Sequence, residues 1–423
     1  MKNRKKLFNL SKVCFAFLLA LVFSITISNT SKAATLGKPT NLKQTYGSYD
    51  TTYGKYFIDL EYNGVSGAYG YFAQMSMDNK NWSFIDEAYK GTKFSIGEYT
   101  NLTAGSTYYV RIVPVSVVNG DYSYNEADAS DSIQVVTAPA AVSKVNQTSA
   151  GKNSISASWS GVANATGYKV YVKKIGDNAY TLNGSTKSNS YKLTKYKGSK
   201  LKNDYGYYVS VSATRTSSAG FTAESLPSTG YPLYTLPSTI TKIASSDWKP
   251  GKASIKIGWK HANTADGYEL QFYNAKGKSI KKVTTTKNAY TFKKAPKNSS
   301  LSVKIRPYIK TSKGKKYANW SKKFYFLSQA DMSKTTYTIG NGHLTLRWKA
   351  VTGASKYTVY AGTTSKNMKP VATVSGKSTS CTISKISGSK ISRYGYYYVK
   401  VVPQKKLGGK TVKGDYGYYW PLY

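Results

Sequence analysis

Short runs of alternating apolar and polar residues dominate the chain, and no window of a dozen residues carries a good helical period. Ile155-Ser156-Ala157-Ser158-Trp159 is one such run, and Tyr168 follows its Trp by nine residues. Ile255-Lys256-Ile257-Gly258-Trp259 repeats it with Tyr268 nine on, and Leu344-Thr345-Leu346-Arg347-Trp348 with Tyr357 nine on. Phe57-Ile58-Asp59-Leu60-Glu61-Tyr62 is a looser copy, with Tyr71 nine on and Tyr62 in the Trp slot. A side-chain period of two is what a strand with one buried face requires, so each run is predicted to be a strand that ends on a core ring.

Two further registers follow each of these rings. Phe94-Ser95-Ile96, Tyr191-Lys192-Leu193, Tyr290-Thr291-Phe292 and Cys381-Thr382-Ile383 lie 31 to 33 residues later. Tyr109-Val110-Arg111-Ile112, Tyr208-Val209-Ser210-Val211, Val303-Lys304-Ile305-Arg306 and Tyr398-Val399-Lys400-Val401 lie 44 to 50 residues later. The strands hold register while the spacing between them varies, which puts the variation in loops. About seven short antiparallel strands in 90 to 100 residues is the arithmetic of a β-sandwich. Plausible module boundaries are 34–139, 140–236, 237–330 and 331–423, with short Pro-containing junctions at Ala138-Pro139-Ala140 and Leu236-Pro237-Ser238. Short stiff junctions predict an extended array.

The motif SIxxSWxxVxxAxGYxVY, continued by YxLxxL and YxVxVxA, resembles that of bacterial fibronectin type III domains. Gly161-Val162-Ala163-Asn164-Ala165-Thr166-Gly167-Tyr168 carries the resemblance most closely. His261-Ala262-Asn263-Thr264-Ala265-Asp266-Gly267-Tyr268 and Ala350-Val351-Thr352-Gly353-Ala354-Ser355-Lys356-Tyr357 follow it. The resemblance implies an all-β chain of tandem immunoglobulin-like sandwiches, with Tyr62, Trp159, Tyr168, Trp259, Tyr268, Trp348, Tyr357 and Cys381 as its signature core. It says little about function, because one superfold hosts many functions. Some animal members bind integrins through Arg-Gly-Asp, which this chain lacks, so that activity is not implied.

Residues 1–33 read as a signal peptide: basic at Lys2, Arg4, Lys5, Lys6 and Lys12, mostly apolar from Val13 to Ile27, and small around Ser31-Lys32-Ala33. The apolar stretch is short for a bilayer span. A secreted protein of a Gram-positive bacterium is the expectation. The sequence ends Trp420-Pro421-Leu422-Tyr423 without an LPxTG sorting signal, so any retention at the cell wall or surface is expected to be non-covalent. Beyond the signal the single cysteine is Cys381, so the modules cannot rely on internal disulfides.

Charge divides the chain. Residues 34–139 hold 7 basic and 11 acidic residues, whereas 140–423 hold 48 basic and 8 acidic. Lysine clusters stand at Lys276/Lys278/Lys281/Lys282, Lys293/Lys294/Lys297 and Lys313/Lys315/Lys316. Such a field implies an anionic partner: a cell-wall polymer, an anionic polysaccharide, or a host glycan or protein. Nucleic acid is disfavoured, because no sequence-reading module is present. The bland reading is that the lysines solvate a β-rich surface and blunt strand edges.

Tyrosine is abundant, 40 residues in 423, and concentrated at Asp204-Tyr205-Gly206-Tyr207-Tyr208, Tyr394-Gly395-Tyr396-Tyr397-Tyr398 and Asp415-Tyr416-Gly417-Tyr418-Tyr419. Tyr207, Tyr396 and Trp320 are candidate glycan contacts, since exposed rings offer flat amphipathic surfaces. The competing reading is cross-strand pairing and the tyrosine corner of such sandwiches. Catalytic chemistry is missing. His261 and His343 have no neighbouring Cys or Asp at metal-ligand spacing, and no acid pair recurs with an aromatic support. Cys381 sits in a core slot. No cofactor or enzyme activity is expected. A surface binder or adhesin leads, with a structural spacer or matrix protein, or an accessory carbohydrate-binding protein for a separate hydrolase, as alternatives.

Overall fold

A computed structural model describes residues 35–85, 90–98, 100–333 and 336–423. The signal-peptide expectation for 1–33 lies outside these residues. The described residues form four sandwiches, each a three-stranded sheet packed on a five-stranded one. In the second, Ser154–Trp159 is flanked by Val145–Gly151 and Ser190–Leu193. Its larger sheet places Gly167–Lys174 between Thr181–Thr186 and the long strand Gly206–Thr216. Two segments then complete the far edge, Thr222–Glu224 and Tyr231–Tyr234. The same order holds in the other three. All pairings are antiparallel, and their registers align the three sequence signals. Leu60 faces Phe94, Ala157 faces Tyr191, Ile257 faces Tyr290 and Leu346 faces Cys381.

The nine-residue spacing from Trp to Tyr has a physical cause. The two rings meet edge-to-face or tilted between the sheets, with centroids 5.2 Å apart for Trp159–Tyr168 and Trp259–Tyr268 and 5.3 Å for Trp348–Tyr357. Tyr62–Tyr71 reproduces the pair at 5.1 Å. Each Tyr hydroxyl then accepts the backbone N–H of the residue six before it. Val65, Val162, Ala262 and Val351 are the donors, at 2.8, 3.0, 3.0 and 2.8 Å. In the last three modules that residue also opens a turn, its carbonyl accepting from Ala165, Ala265 or Ala354. The motif VxxAxGY is thus a turn and the ring that pins it.

A second tyrosine corner closes the other end of the sandwich. Tyr108, Tyr207 and Tyr397 accept the N–H five residues back, from Thr103, Lys202 and Ser392, at 3.2, 2.9 and 2.9 Å. Leu301 takes the place in the third module. This overturns the expectation that Tyr207 is an outward glycan contact: its ring is 2 % exposed and belongs to the core. The two Tyr-Gly motifs are out of register by one residue. Pairing of Val170 with Val211 and of Val359 with Val401 makes Tyr207 equivalent to Tyr397, and Gly206 to Tyr396. A Cβ at Gly206 would meet the Ile175 side-chain end and the Tyr234 ring, and both would have to shift to admit one.

The described chain groups into two compact units, residues up to Ala138 with Arg215–Glu224, and Pro139–Thr214 with Ser225–Tyr423. In the first, the hairpin Arg215–Glu224 is fastened by Ser218 N–H to Gln134 Oε1 (2.8 Å) and Ser48 Oγ to the Glu224 carbonyl (2.8 Å). In the second, the hairpin after Ser300–Thr311 lies on Val145–Gly151, with Ser312 N–H donating to the Gln147 carbonyl at 2.8 Å. Asp204 fixes that junction further, its carboxylate accepting from the backbone and hydroxyl of Thr264 at 2.8 and 3.1 Å. Between the third and fourth modules, Tyr418 donates to Asp247 at 2.6 Å, and the Gln329 amide bridges the backbone of Tyr416 and Tyr418.

Candidate functional surface

Alternation along the strands of each larger sheet sends one set of side chains into the core and the other to solvent. In the second, third and fourth modules the solvent set pairs cations with aromatic rings across neighbouring strands. Lys173 and Tyr208 are cross-strand partners, with the ammonium 5.4 Å from the Tyr208 ring centre and 5.0 Å from that of Tyr180. Tyr360 and Lys400 are partners in the fourth module, at 4.9 Å. In the third, the Arg306 guanidinium lies 4.0 Å from the Tyr317 ring and 4.4 Å from the Trp320 ring. Buried Glu269 holds it through Nε at 2.6 Å and also binds Lys282 at 3.0 Å. Each such pair contributes about 0.5–1 kcal/mol at an exposed site. More important here, the ring facing each cationic head favours one position for it.

The candidate residues fall into different settings. Tyr396 is 71 % exposed, with Tyr423 beside it at 6.2 Å. Trp320 is half-buried, and Arg306 occupies one of its faces. Lys276, Lys278, Lys281 and Lys282 line a loop and the edge strand Ser279–Thr285, and all four are exposed. Lys293, Lys294 and Lys297 are exposed in a different loop region, and Lys313 and Lys315 on the hairpin tip. The third module, 237–330, is the most basic, with 21 basic and 3 acidic residues.

One feature of the first module escaped the sequence reading. Phe72, Phe84, Tyr122 and Tyr124 form a ring cluster on the outer face of its larger sheet, with centroids 5.0–6.0 Å apart. Phe84 and Tyr122 are 44 % and 46 % exposed. The signal was there in Tyr122-Ser123-Tyr124, a period-two aromatic pair.

Cys381 is buried opposite Leu346, and burial pushes its thiol pKa up. The His261 ring contacts the core-facing Tyr268 hydroxyl at 3.0 Å. Among the described residues no group of three or more His, Cys, Asp or Glu could hold a metal ion. Nor, among them, is any helix long and apolar enough to cross a membrane.

No family model matches the chain, and no curated protein matches it. Among solved structures, it is similar to the FN1–FN3 domains of chicken CNTN1 at 13 % identity. The match covers 70 % of this chain and 99 % of that one, with a TM-score of 0.29. Strand order within each module is what establishes the architecture. The chain is a tandem of fibronectin type III-like sandwiches.

Proposed function

We propose that this protein is a secreted, non-catalytic binder that attaches to an anionic cell-wall polymer or polysaccharide through its second, third and fourth modules. The observation that carries this reading is charge segregation. Residues 140–423 hold 48 basic residues against 8 acidic ones, so most of their cations have no carboxylate to pair with. Residues 34–139 carry a small acidic excess instead. A surface rich in unneutralised cations attracts a flexible polyanion and releases its counterions. Lysine suits diffuse contact with a repeating phosphate or carboxylate better than recognition of one geometry. Retention of the full chain on purified Gram-positive walls, before and after removal of their teichoic acid, tests the proposal. Salt-sensitive retention that falls with teichoic acid removal supports it; equal retention on both walls contradicts it.

A second reading, a spacer whose modules set reach, is favoured by the hydrogen-bonded junctions inside the second compact unit. It predicts no wall retention at any salt.

A further inference from the structure

The second compact unit contains a cleft of about 560 Å³ whose walls come from two modules. One wall is Val145–Gln147 and Tyr231–Tyr234; the other is Asn263–Asp266 and Ile309–Ser312. Its size falls within the range of small-ligand sites, and junctions between modules are where such sites concentrate. Hydrogen bonds between the two modules and within them hold the walls in place. Ser312 donates to the Gln147 carbonyl through N–H at 2.8 Å and through Oγ at 3.1 Å. Thr264 Oγ1 donates to the Thr235 carbonyl at 3.0 Å, and Gln147 clasps the backbone of Tyr234 at 2.7 and 2.9 Å.

Several polar groups on these walls are not used by the fold. The side-chain amides of Asn146 and Asn263 make no hydrogen bond among the described residues, and neither does the Tyr234 hydroxyl. Asp266 uses one carboxylate oxygen to accept the Lys310 N–H at 2.6 Å and leaves the other uncommitted. Beside them, Val145, Pro232, Ala265 and Ile309 supply apolar wall. Two free amides, a carboxylate oxygen and a phenol set among apolar patches match a ligand with vicinal hydroxyls and C–H faces. Amides and carboxylates pair with adjacent hydroxyls through two parallel bonds, and rings and aliphatic groups cover the C–H faces. Asp266 and Lys310, the two charged residues of the lining, balance each other, so the cleft has no net attraction for a polyanion.

We propose that this cleft binds a short neutral oligosaccharide, independently of the charge-driven attachment described above. Asn146 and Asn263 read the hydroxyls, and Tyr234 and the apolar wall bear on the sugar faces. The two sites separate by salt. Attachment to a polyanion weakens as salt rises, whereas binding of a neutral sugar does not.

Isothermal titration of the full chain in 0.5 M NaCl with cellohexaose, xylohexaose, mannohexaose and chitohexaose tests this. One of the four is expected to saturate at one per chain. In the double variant N146A/N263A its affinity should fall at least tenfold, with the thermal transition and low-salt wall retention unchanged. Failure of all four to saturate at millimolar concentration overturns the proposal, as does unchanged affinity in the variant. If the cleft responds instead to polyphosphate, and N146A/N263A removes that response, the proposal also fails and the cleft belongs to the anion-binding surface.

Discussion

Trp259 and Tyr268 meet edge-to-face at 5.2 Å, and the Tyr268 hydroxyl reaches past the Trp to accept the backbone N–H of Ala262 at 3.0 Å. One side chain thereby fills the core and fixes the turn between two sheets. Both rings are fully buried. Trp259→Ala should cost about 3–5 kcal/mol through the cavity it leaves. Tyr268→Phe keeps the volume but orphans a buried donor, at about 1–3 kcal/mol. Urea unfolding followed by Trp fluorescence measures both.

The Tyr-Gly motifs give a paired prediction. Tyr207→Ala should destabilise by about 3–5 kcal/mol, as for a lost core aromatic. Tyr396→Ala, at an exposed position, should change stability by no more than about 0.5 kcal/mol. Denaturant midpoints of the two variants check this, and similar losses in both would refute the register that separates them.

Cys381 should be a slow thiol. Burial raises its pKa, so the thiolate fraction at pH 8 is below that of a free cysteine. Labelling of the chain lacking residues 1–33 with Ellman's reagent should be slow in buffer and fast in urea. Fast labelling of the folded protein would place Cys381 at the surface.

Tyr418 supplies the pH dependence. Its pKa is pushed up to about 12, chiefly by desolvation and then by its hydrogen bond to Asp247. A raised pKa means the folded state holds the phenolic proton more tightly than the unfolded state. Its stabilisation is therefore complete below about pH 10, the ordinary tyrosine value, and is lost as pH rises toward 12. Tyr416 at the same junction is raised as well, by burial and the charge of Asp247. Alkaline titration monitored at 295 nm should show a late-ionising class that loses one tyrosine in Tyr418→Phe.

The sandwich was legible because strand alternation and core rings are local signals: the pairs Trp159–Tyr168 and Trp348–Tyr357 stand nine residues apart in the sequence and in contact in space. Cys381 likewise faces Leu346, in the slot that Tyr191 and Tyr290 hold against Ala157 and Ile257. What stayed hidden was whatever depends on a one-residue offset or on a neighbour far along the chain. Tyr207 and Tyr396 look alike in sequence, yet only strand pairing reveals that one matches Tyr397 and the other Gly206. Trp320 reads as free until Arg306, fourteen residues earlier, is seen to cover one face. The cleft joining Asn146 to Asn263 has no sequence signature, because it exists only where two modules meet.

Electrostatic attachment by the basic modules is tested most sharply by the salt dependence of teichoic acid binding by the full chain. A plot of log affinity against log salt should fall steeply, as expected when several fixed cations release counterions. The slope should become shallower when Lys276, Lys278, Lys281, Lys293 and Lys294 are changed together to Gln. A flat plot, or a slope indifferent to those five lysines, would contradict the account.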